Sequence, residues 1–206
     1  MPDTPGAVDL PAVDFLLPGK WWRIPLDSEA SIASSSRQLA RETIGTADDR
    51  ASLRRDLAAQ VTAAAAEAQK AGGQDFYFAL EFAPGERVPL SMAVYWPEMP
   101  ETLSAAAGPG AAATAMSARF TRLYPDAEVE VLRDGEVGLV RVVEEHTGVE
   151  PVAEMGDIAR LALSYWFFDA RWPRTFLMSF STPLVAERES VVQLCDAISA
   201  GVKWEA

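Results

Sequence analysis

The amino-acid sequence predicts an α+β fold, in which a twisted, mainly antiparallel sheet carries helices on both faces, an α/β/α sandwich. Apolar residues alternate with period two in several segments, and tight-turn dipeptides separate neighbouring segments. Two other segments, 47–71 and 187–202, carry apolar residues at spacings of three and four. Along the chain, these signals predict a hairpin, a helix or helix pair, two strands, a short helix, four strands and a final helix.

Turn residues predict where the strands pair. Proline presets the first central dihedral angle of a turn, and glycine accepts the positive φ that follows. Three dipeptides therefore predict three hairpins, at Pro18-Gly19 (between Phe15–Leu17 and Trp21–Leu26), at Pro84-Gly85 and at Asp134-Gly135. The loop 169–173 predicts a fourth hairpin, between 161–168 and 174–182.

The alternating segments predict strands with one strongly apolar face, namely Phe76, Phe78, Leu80 and Phe82, then Leu90, Met92, Val94 and Trp96, and finally Phe176, Met178 and Phe180. In 161–168 both alternating sets are apolar, which is typical of a strand covered on both faces. The sheet is therefore predicted to be a central layer.

The long helix is predicted over 47–71. Asp27-Ser28 and Thr46 are candidate N-caps, and Gly72-Gly73 ends the pattern. Its apolar stripe is Leu53, Leu57, Val61, Ala65 and Ala68, with Leu57 expected in the core. The last helix has the stripe Val191, Leu194, Cys195, Ile198 and Val202. Between 103 and 122, the sequence Gly108-Pro109-Gly110 predicts a flexible loop before a short helix.

The chain of 206 residues predicts a flexible N-terminal arm over 1–13 and a single domain over 14–206. The longest apolar run, 161–168, is much shorter than the ~20 residues that cross a bilayer. The first residues lack the basic and apolar regions of a signal peptide, so we expect a cytoplasmic protein. Lysine is scarce beside arginine and alanine, which is typical of a G+C-rich bacterial genome.

The charge balance bears on the partner. Eighteen basic and thirty acidic residues give a formal charge of −12, which argues against nucleic acid and anionic membranes as partners. Residues 126–157 hold ten acidic residues and two arginines, a balance of −8. This segment includes Glu144 and Glu145, as well as Glu128 and Glu130, which share one strand face and repel each other.

Two interpretations of this acidic segment remain open. It is either the solvated outer edge of the sheet, where charges block aggregation, or a docking surface for a basic protein partner. Under the second interpretation, lysine at both 128 and 130 is expected to leave folding intact and to slow association.

Several candidate chemistries lack the context that they need. Residues 108–113 match G-x-G-x-x-A, with Glu128 further on, but the preceding 101–105 is not a buried strand. His146 beside Glu144 and Glu145 suggests a general base, but no catalytic motif accompanies it. Cys195 lies on an apolar helical stripe and is expected in the core, and Ser179 and Ser181 are interpreted as structural. We therefore predict no catalytic, metal or cofactor-binding residue.

The aromatic residues suggest a second candidate surface, comprising Trp21, Trp22, Arg23 and Trp172. These residues lie at or beside predicted turns, and adjacent tryptophans on a strand point to opposite faces, so at least one is expected to be partly exposed. Either they contact a partner, as such residues often do, or they pack at the edge of the core. Trp96 and Trp166 are expected in the core, and Trp204 is expected to fold the chain end onto the sheet.

Both ends of the chain resemble a known scaffold. The opening Phe15–Trp22 (FLLPGKWW) and the closing 177–183 (LMSFSTP), followed by a terminal helix and Val202-Lys203-Trp204, resemble the PsbP-like superfamily. That superfamily includes the photosystem subunit PsbP, the Ran guanine-nucleotide-release factor and LpqN-type lipoproteins. The resemblance implies a PsbP-like fold used mostly for binding proteins.

Together these patterns predict a non-enzymatic protein-binding or accessory module of a bacterial cell, working without a cofactor. The alternative is a small-ligand-binding protein or enzyme. Its pocket would lie between the sheet and the 47–71 helix, whose small side chains would leave space.

Overall fold

The computed structural model describes residues 11–82, 85–100, 108–146, 159–169 and 171–204. Four helices lie in these ranges, α1 (Glu29–Ile44), α2 (Ala51–Lys70), α3 (Pro109–Leu123) and α4 (Arg188–Ala200), and a 3-10 turn, Asp48–Arg50, precedes α2. The strands are β1 (Val13–Asp14), β2 (Lys20–Pro25), β3 (Gly73–Glu81), β4 (Ser91–Tyr95), β5 (Glu128–Asp134), β6 (Val137–His146), β7 (Arg160–Asp169), β8 (Phe176–Thr182) and β9 (Lys203–Trp204).

Seven strands form one antiparallel sheet in the order β2-β3-β4-β8-β7-β6-β5, and β1 pairs with β9 in a separate small sheet. The predicted α+β class is confirmed. The pairs β3–β4, β5–β6 and β7–β8 are the hairpin partners predicted from the last three turns. Pro84 of the first of these three turns lies outside the described residues.

The predicted first hairpin is wrong. Phe15–Leu17 does not pair with β2, whose partner is β3. The segment packs over one face of the sheet instead, where the Phe15 ring meets Tyr77 edge-on at 5.7 Å between centroids. Gly19, with φ +78°, brings the chain so close to the end of β3 that a Cβ there would overlap the Glu81 carbonyl oxygen. The Pro-Gly signal therefore marks a close crossing and not a hairpin.

Helices cover both faces, as predicted. One face, here called the α4 face, is covered by α4, whose Val191, Cys195 and Ile198 are buried against β7 and β8. On the opposite face α1 and α2 pack on β2 and β3, and α3 packs on β5, β6 and β7. Trp204 stacks against Trp96 and Phe176, so the chain end closes the core of the α4 face.

The long helix is shorter than predicted and buries less of its stripe. It begins at Ala51, and Thr46 does not cap it, because neither the turn nor the helix has a side-chain N-cap hydrogen bond. Leu53 is 57% exposed and Leu57 only partly buried, so the buried stripe is confined to Val61, Ala65 and Ala68 in the C-terminal half. Ser28 does cap α1, accepting a hydrogen bond from the Ser31 N–H at 3.1 Å.

Helix α3 begins inside the Gly-Pro-Gly sequence that predicted a loop. Gly108, with φ +117°, is the N-cap, and Pro109 occupies the first helical position, where its missing N–H costs nothing. The helix then packs closely on β6, because Gly138 has no Cβ to meet Pro109 and Ala113. The residues 101–107 that precede it lie outside the described ranges, as do residues 1–10 of the predicted arm, while Val13 of that arm begins β1.

Candidate docking site

Arg141 is the most buried charged side chain among the described residues of the acidic segment. It lies on the α4 face of β6, directly between Glu130 of β5 and Tyr165 of β7 in the sheet register. Its side chain is only 8% exposed. A buried guanidinium is stable only when acceptors surround it, so the structure has to supply carboxylates at this point.

Three carboxylates from two elements meet this guanidinium. Its Nη2 donates to Glu128 Oε1 at 2.8 Å and to Glu130 Oε2 at 2.6 Å, and its Nη1 donates to Asp196 Oδ2 of α4 at 2.7 Å. The hydroxyl of Tyr165 donates to the other Asp196 oxygen at 2.7 Å. The Arg141 Nε–H is also buried, and it has no partner among the described residues. Arg141 thus ties the edge strand β5 to the helix α4.

A second arginine extends this arrangement along the start of α4. Arg188 donates from Nη2 to Glu128 Oε2 at 2.6 Å, and its Nε forms an ion pair with Glu145 Oε1 at 3.0 Å. We call the six charged residues together the acidic cluster, namely Arg141, Arg188, Glu128, Glu130, Glu145 and Asp196. Its four carboxylates and two guanidinium groups leave a net formal charge of −2.

The carboxylates of the cluster are ordered but still meet solvent, with side chains between 34% and 54% exposed. The hydrogen bond from Arg188 and the charges of both arginines hold the pKa of Glu128 below its ordinary value. Burial lowers the pKa of Arg141, but the charges of Asp196, Glu130 and Glu128 outweigh it, so that pKa is raised. Both shifts favour the ionised forms of Glu128 and Arg141.

The neighbouring nucleophiles are held in their protonated forms. Burial raises the pKa of the Tyr165 hydroxyl, and the hydrogen bond to Asp196 and the negative charge of Asp196 raise it further. Burial also raises the pKa of the Cys195 thiol, which is fully buried, so the predicted core position of Cys195 is confirmed. The thiolate is the nucleophilic form of cysteine, so the raised pKa makes Cys195 a poor nucleophile.

Not every predicted acidic residue belongs to the cluster. Glu144 is adjacent to Glu145 in sequence, but its side chain lies on the opposite face, in register with Ala162. His146 is exposed at the end of β6, opposite Arg160. Alternation along the strand thus separates Glu144 and Glu145, which the sequence analysis grouped.

The tryptophan surface lies at the other edge of the sheet and is engaged internally. The Trp21 indole donates to the Pro18 carbonyl at 2.8 Å, and the Trp22 indole donates to Ser35 Oγ at 2.9 Å. The two rings pack on opposite faces, as predicted, and both are partly buried. Arg23 forms a two-point ion pair with Asp75, at 2.8 and 3.1 Å. Because β2 and β5 are opposite edges, these residues and the acidic cluster do not form one surface.

Trp172 lies apart from both edges, in the loop between β7 and β8. It is partly buried, and its indole nitrogen is buried without a hydrogen-bond partner in the described part of the chain. Next to it, Arg171 forms an ion pair with Asp169, at 2.6 Å. The charged groups of Asp169 and Arg171 in this loop therefore pair with each other.

Between the long helix and the sheet, the described side chains are closely packed. Ala65 and Phe76 are almost completely buried where α2 meets the sheet, and a Cβ on Gly73 would lie 2.7 Å from the Ala68 carbonyl oxygen. The small side chains of α2 thus permit close approach of the helix. Farther along the same face, Ser164 of β7 and Ser179 and Ser181 of β8 are only partly buried. The prediction that both faces of β7 are covered therefore holds only in part.

Three cluster residues were not among the sequence candidates: Arg141, Arg188 and Asp196. A signal for Arg141 was present, because a hairpin that turns at Asp134-Gly135 places residue 141 on the same face as Glu128 and Glu130. Arg188 and Asp196 belong to a helix 60 or more residues beyond Glu128 in the chain. Their contacts depend on how α4 docks on the sheet.

Within the described ranges, no group of three or more His, Cys, Asp or Glu side chains is arranged to hold a metal ion. The four described helices include none long and apolar enough to span a membrane. Comparisons with protein-family models, with curated proteins and with solved structures found no match.

Proposed function

We propose that this protein is a non-enzymatic protein-binding module of a bacterial cytoplasm, and that a basic protein partner docks at the acidic cluster. The observation that carries the proposal is the order of the cluster. Its carboxylates are partly exposed, yet each is held in place by an arginine, and Arg141 is itself buried.

This order matters for affinity. A flexible surface carboxylate loses side-chain freedom when it binds, whereas the cluster carboxylates are already fixed in the free protein. Their net charge of −2 lies within an overall charge of −12, which speeds the encounter with a basic partner at low salt. The resemblance of the chain ends to the PsbP-like superfamily also supports a protein-binding role.

The alternative function, a ligand pocket under the 47–71 helix, has less support. The side chains there are closely packed, with Ile24 and Ala65 fully buried. A small-molecule site needs a concave space, and we therefore place the function at the sheet edge.

The test uses the full chain as bait in extracts of the native organism, at low and at high salt. The parent is compared with the double variant Glu130→Gln, Glu145→Gln, which keeps the side-chain shapes and removes two charges. Glu42→Gln, an exposed residue of α1, is the matched control. Bound proteins are identified and their isoelectric points compared with the whole extract.

We expect basic proteins that the parent and Glu42→Gln retain at low salt, that salt releases, and that the double variant retains several-fold less. Retention that is equal for all three baits, or that salt does not change, would refute docking at the cluster.

A further inference from the structure

Strand β5 ends the main sheet. Among the described strands, β6 is the only one that pairs with β5, so one row of β5 backbone N–H and C=O groups has no strand partner there. Such a row is a template for a further strand. The register with β6 is regular from Glu128 to Val131 and shifts between Val131 and Arg133. The regular stretch available for pairing is therefore 128–131.

The side chains of this stretch differ between the two faces. Glu128 and Glu130 lie on the α4 face, about half exposed. Val129 and Val131 lie on the other face, where α3 covers them only in part. An added strand would extend both faces, because residues directly opposite each other in a sheet share a face.

The charges select the partner. A second copy of β5 would place glutamates beside glutamates, which is unfavourable across a strand pair. A strand with lysine or arginine at alternate positions would meet Glu128 and Glu130, and apolar residues between them would cover Val129 and Val131. Each glutamate oxygen that already accepts from arginine retains a lone pair for a further donor.

We infer that the basic partner binds by adding an extended segment, with cationic and apolar residues in alternation, to the outer edge of β5 over residues 128–131. This inference rests on the proposed function and specifies how the partner docks. It is the known mode of strand addition to a sheet edge, in which backbone hydrogen bonds give affinity and alternate side chains give specificity.

The test uses two synthetic eight-residue peptides with blocked ends. One peptide alternates lysine and valine. The other has the same composition, but two lysines are followed by two valines along the chain, so that no face of the extended peptide is uniformly basic. Binding to the full chain is measured by calorimetry at low and high salt. Amide hydrogen exchange is then followed residue by residue by NMR at saturating peptide.

We expect the alternating peptide to bind at low salt at least tenfold more tightly than the paired one. We also expect the outward amides of 128–131 to exchange about tenfold more slowly in its presence, while the amides of β2 do not change. Glu130→Gln should weaken the alternating peptide several-fold, and Glu42→Gln should not.

Three results would overturn the inference. Salt-sensitive binding that leaves the β5 amides unprotected, or equal binding of the two peptides, would mean that side chains alone dock, and the proposed function would stand. If neither peptide binds, strand addition is refuted, while the extract experiment decides the proposed function separately.

Discussion

The two edges of the main sheet are built differently. At the β2 edge, both tryptophan N–H groups have acceptors within the chain, and the one ion pair, Arg23 with Asp75, lies at the surface. At the β5 edge, a buried arginine holds three carboxylates that stay in contact with solvent. The comparison teaches that aromatic residues near a turn mark an edge whose polar groups are satisfied internally. At the β5 edge the paired carboxylates share a buried arginine and still meet solvent.

The largest expected effect concerns the helices that cover the two halves of the sheet. Phe120 of α3 is 5% exposed and stacks on Trp166 at 5.1 Å, so Phe120→Ala should lower the free energy of unfolding by about 3–5 kcal/mol. Leu57 of α2 is only partly buried, so Leu57→Ala should cost about 1–2 kcal/mol. Urea titration measures both values. A larger loss for Leu57→Ala would mean that α2 carries more of the core than its burial indicates.

The next effect compares the two edge arginines directly. Arg141→Met leaves Glu130 and Asp196 without their cation, while Glu128 keeps Arg188. The substitution should cost about 2–3 kcal/mol, below the cost of breaking a fully buried pair because the carboxylates are partly hydrated. Arg23→Met removes an exposed ion pair and should cost less than about 1 kcal/mol. Equal losses in urea titration would show that Arg141 is no more important to the fold than Arg23.

Charge reversal sharpens the same comparison. Arg141 contacts both Glu128 and Glu130, and Arg188 also contacts Glu128, so lysine at both positions would place four cations together and should destabilise the fold by about 1–3 kcal/mol. From sequence alone, these substitutions were expected to leave folding intact. Because the contacts with the arginines predict a loss of stability instead, the binding test uses glutamine. Added salt should restore part of the loss in thermal unfolding, because it screens the repulsion. An unchanged unfolding temperature would mean that Arg141 moves away from the new lysines.

The sequence predicted the features that depend on neighbouring residues, and it missed those that depend on contacts between distant parts of the chain. Period two and turn residues are local, and they predicted the strands of β3–β8, the three later hairpins and the face shared by Glu128 and Glu130. The pairing of β1 with β9 joins the two chain ends, and no local pattern indicates it. The Pro18-Gly19 signal was real, but the strict need for glycine came from the approach to Glu81.

The candidate site was predictable only in part, for the same reason. The acidic character of β5 was visible in composition, and the repulsion between Glu128 and Glu130 suggested a solvated surface. The cation between them, Arg141, follows from hairpin register, whereas Asp196 and Arg188 reach the cluster only after α4 packs across the sheet. Alternation along the strand correctly predicted that Trp21 and Trp22 lie on opposite faces.

The smallest expected effect is the acid dependence of the β5 edge. Hydrogen bonding from Arg188 and the nearby arginine charges lower the pKa of Glu128 in the folded chain, so the ionised form stabilises the fold. That contribution is fully present above the ordinary glutamate pKa of about 4.5 and is lost as the pH falls through the lower folded value. Below about pH 4.5, the free energy of unfolding of Glu128→Gln should therefore decrease less steeply with falling pH than that of the parent.

The difference between the two proteins should be under about 1 kcal/mol, since Glu128 is nearly half exposed and solvent screens its pairs. Asp169 provides an internal reference. Burial raises the pKa of Asp169, but its hydrogen bonds and ion pair with Arg171 lower it overall, and this acid dependence is common to parent and variant. Urea midpoints from pH 7 to pH 3 measure both curves. If they run parallel throughout, Glu128 does not gain stability from its arginines, and the β5 edge would be electrostatically no different from the exposed ion pair at β2.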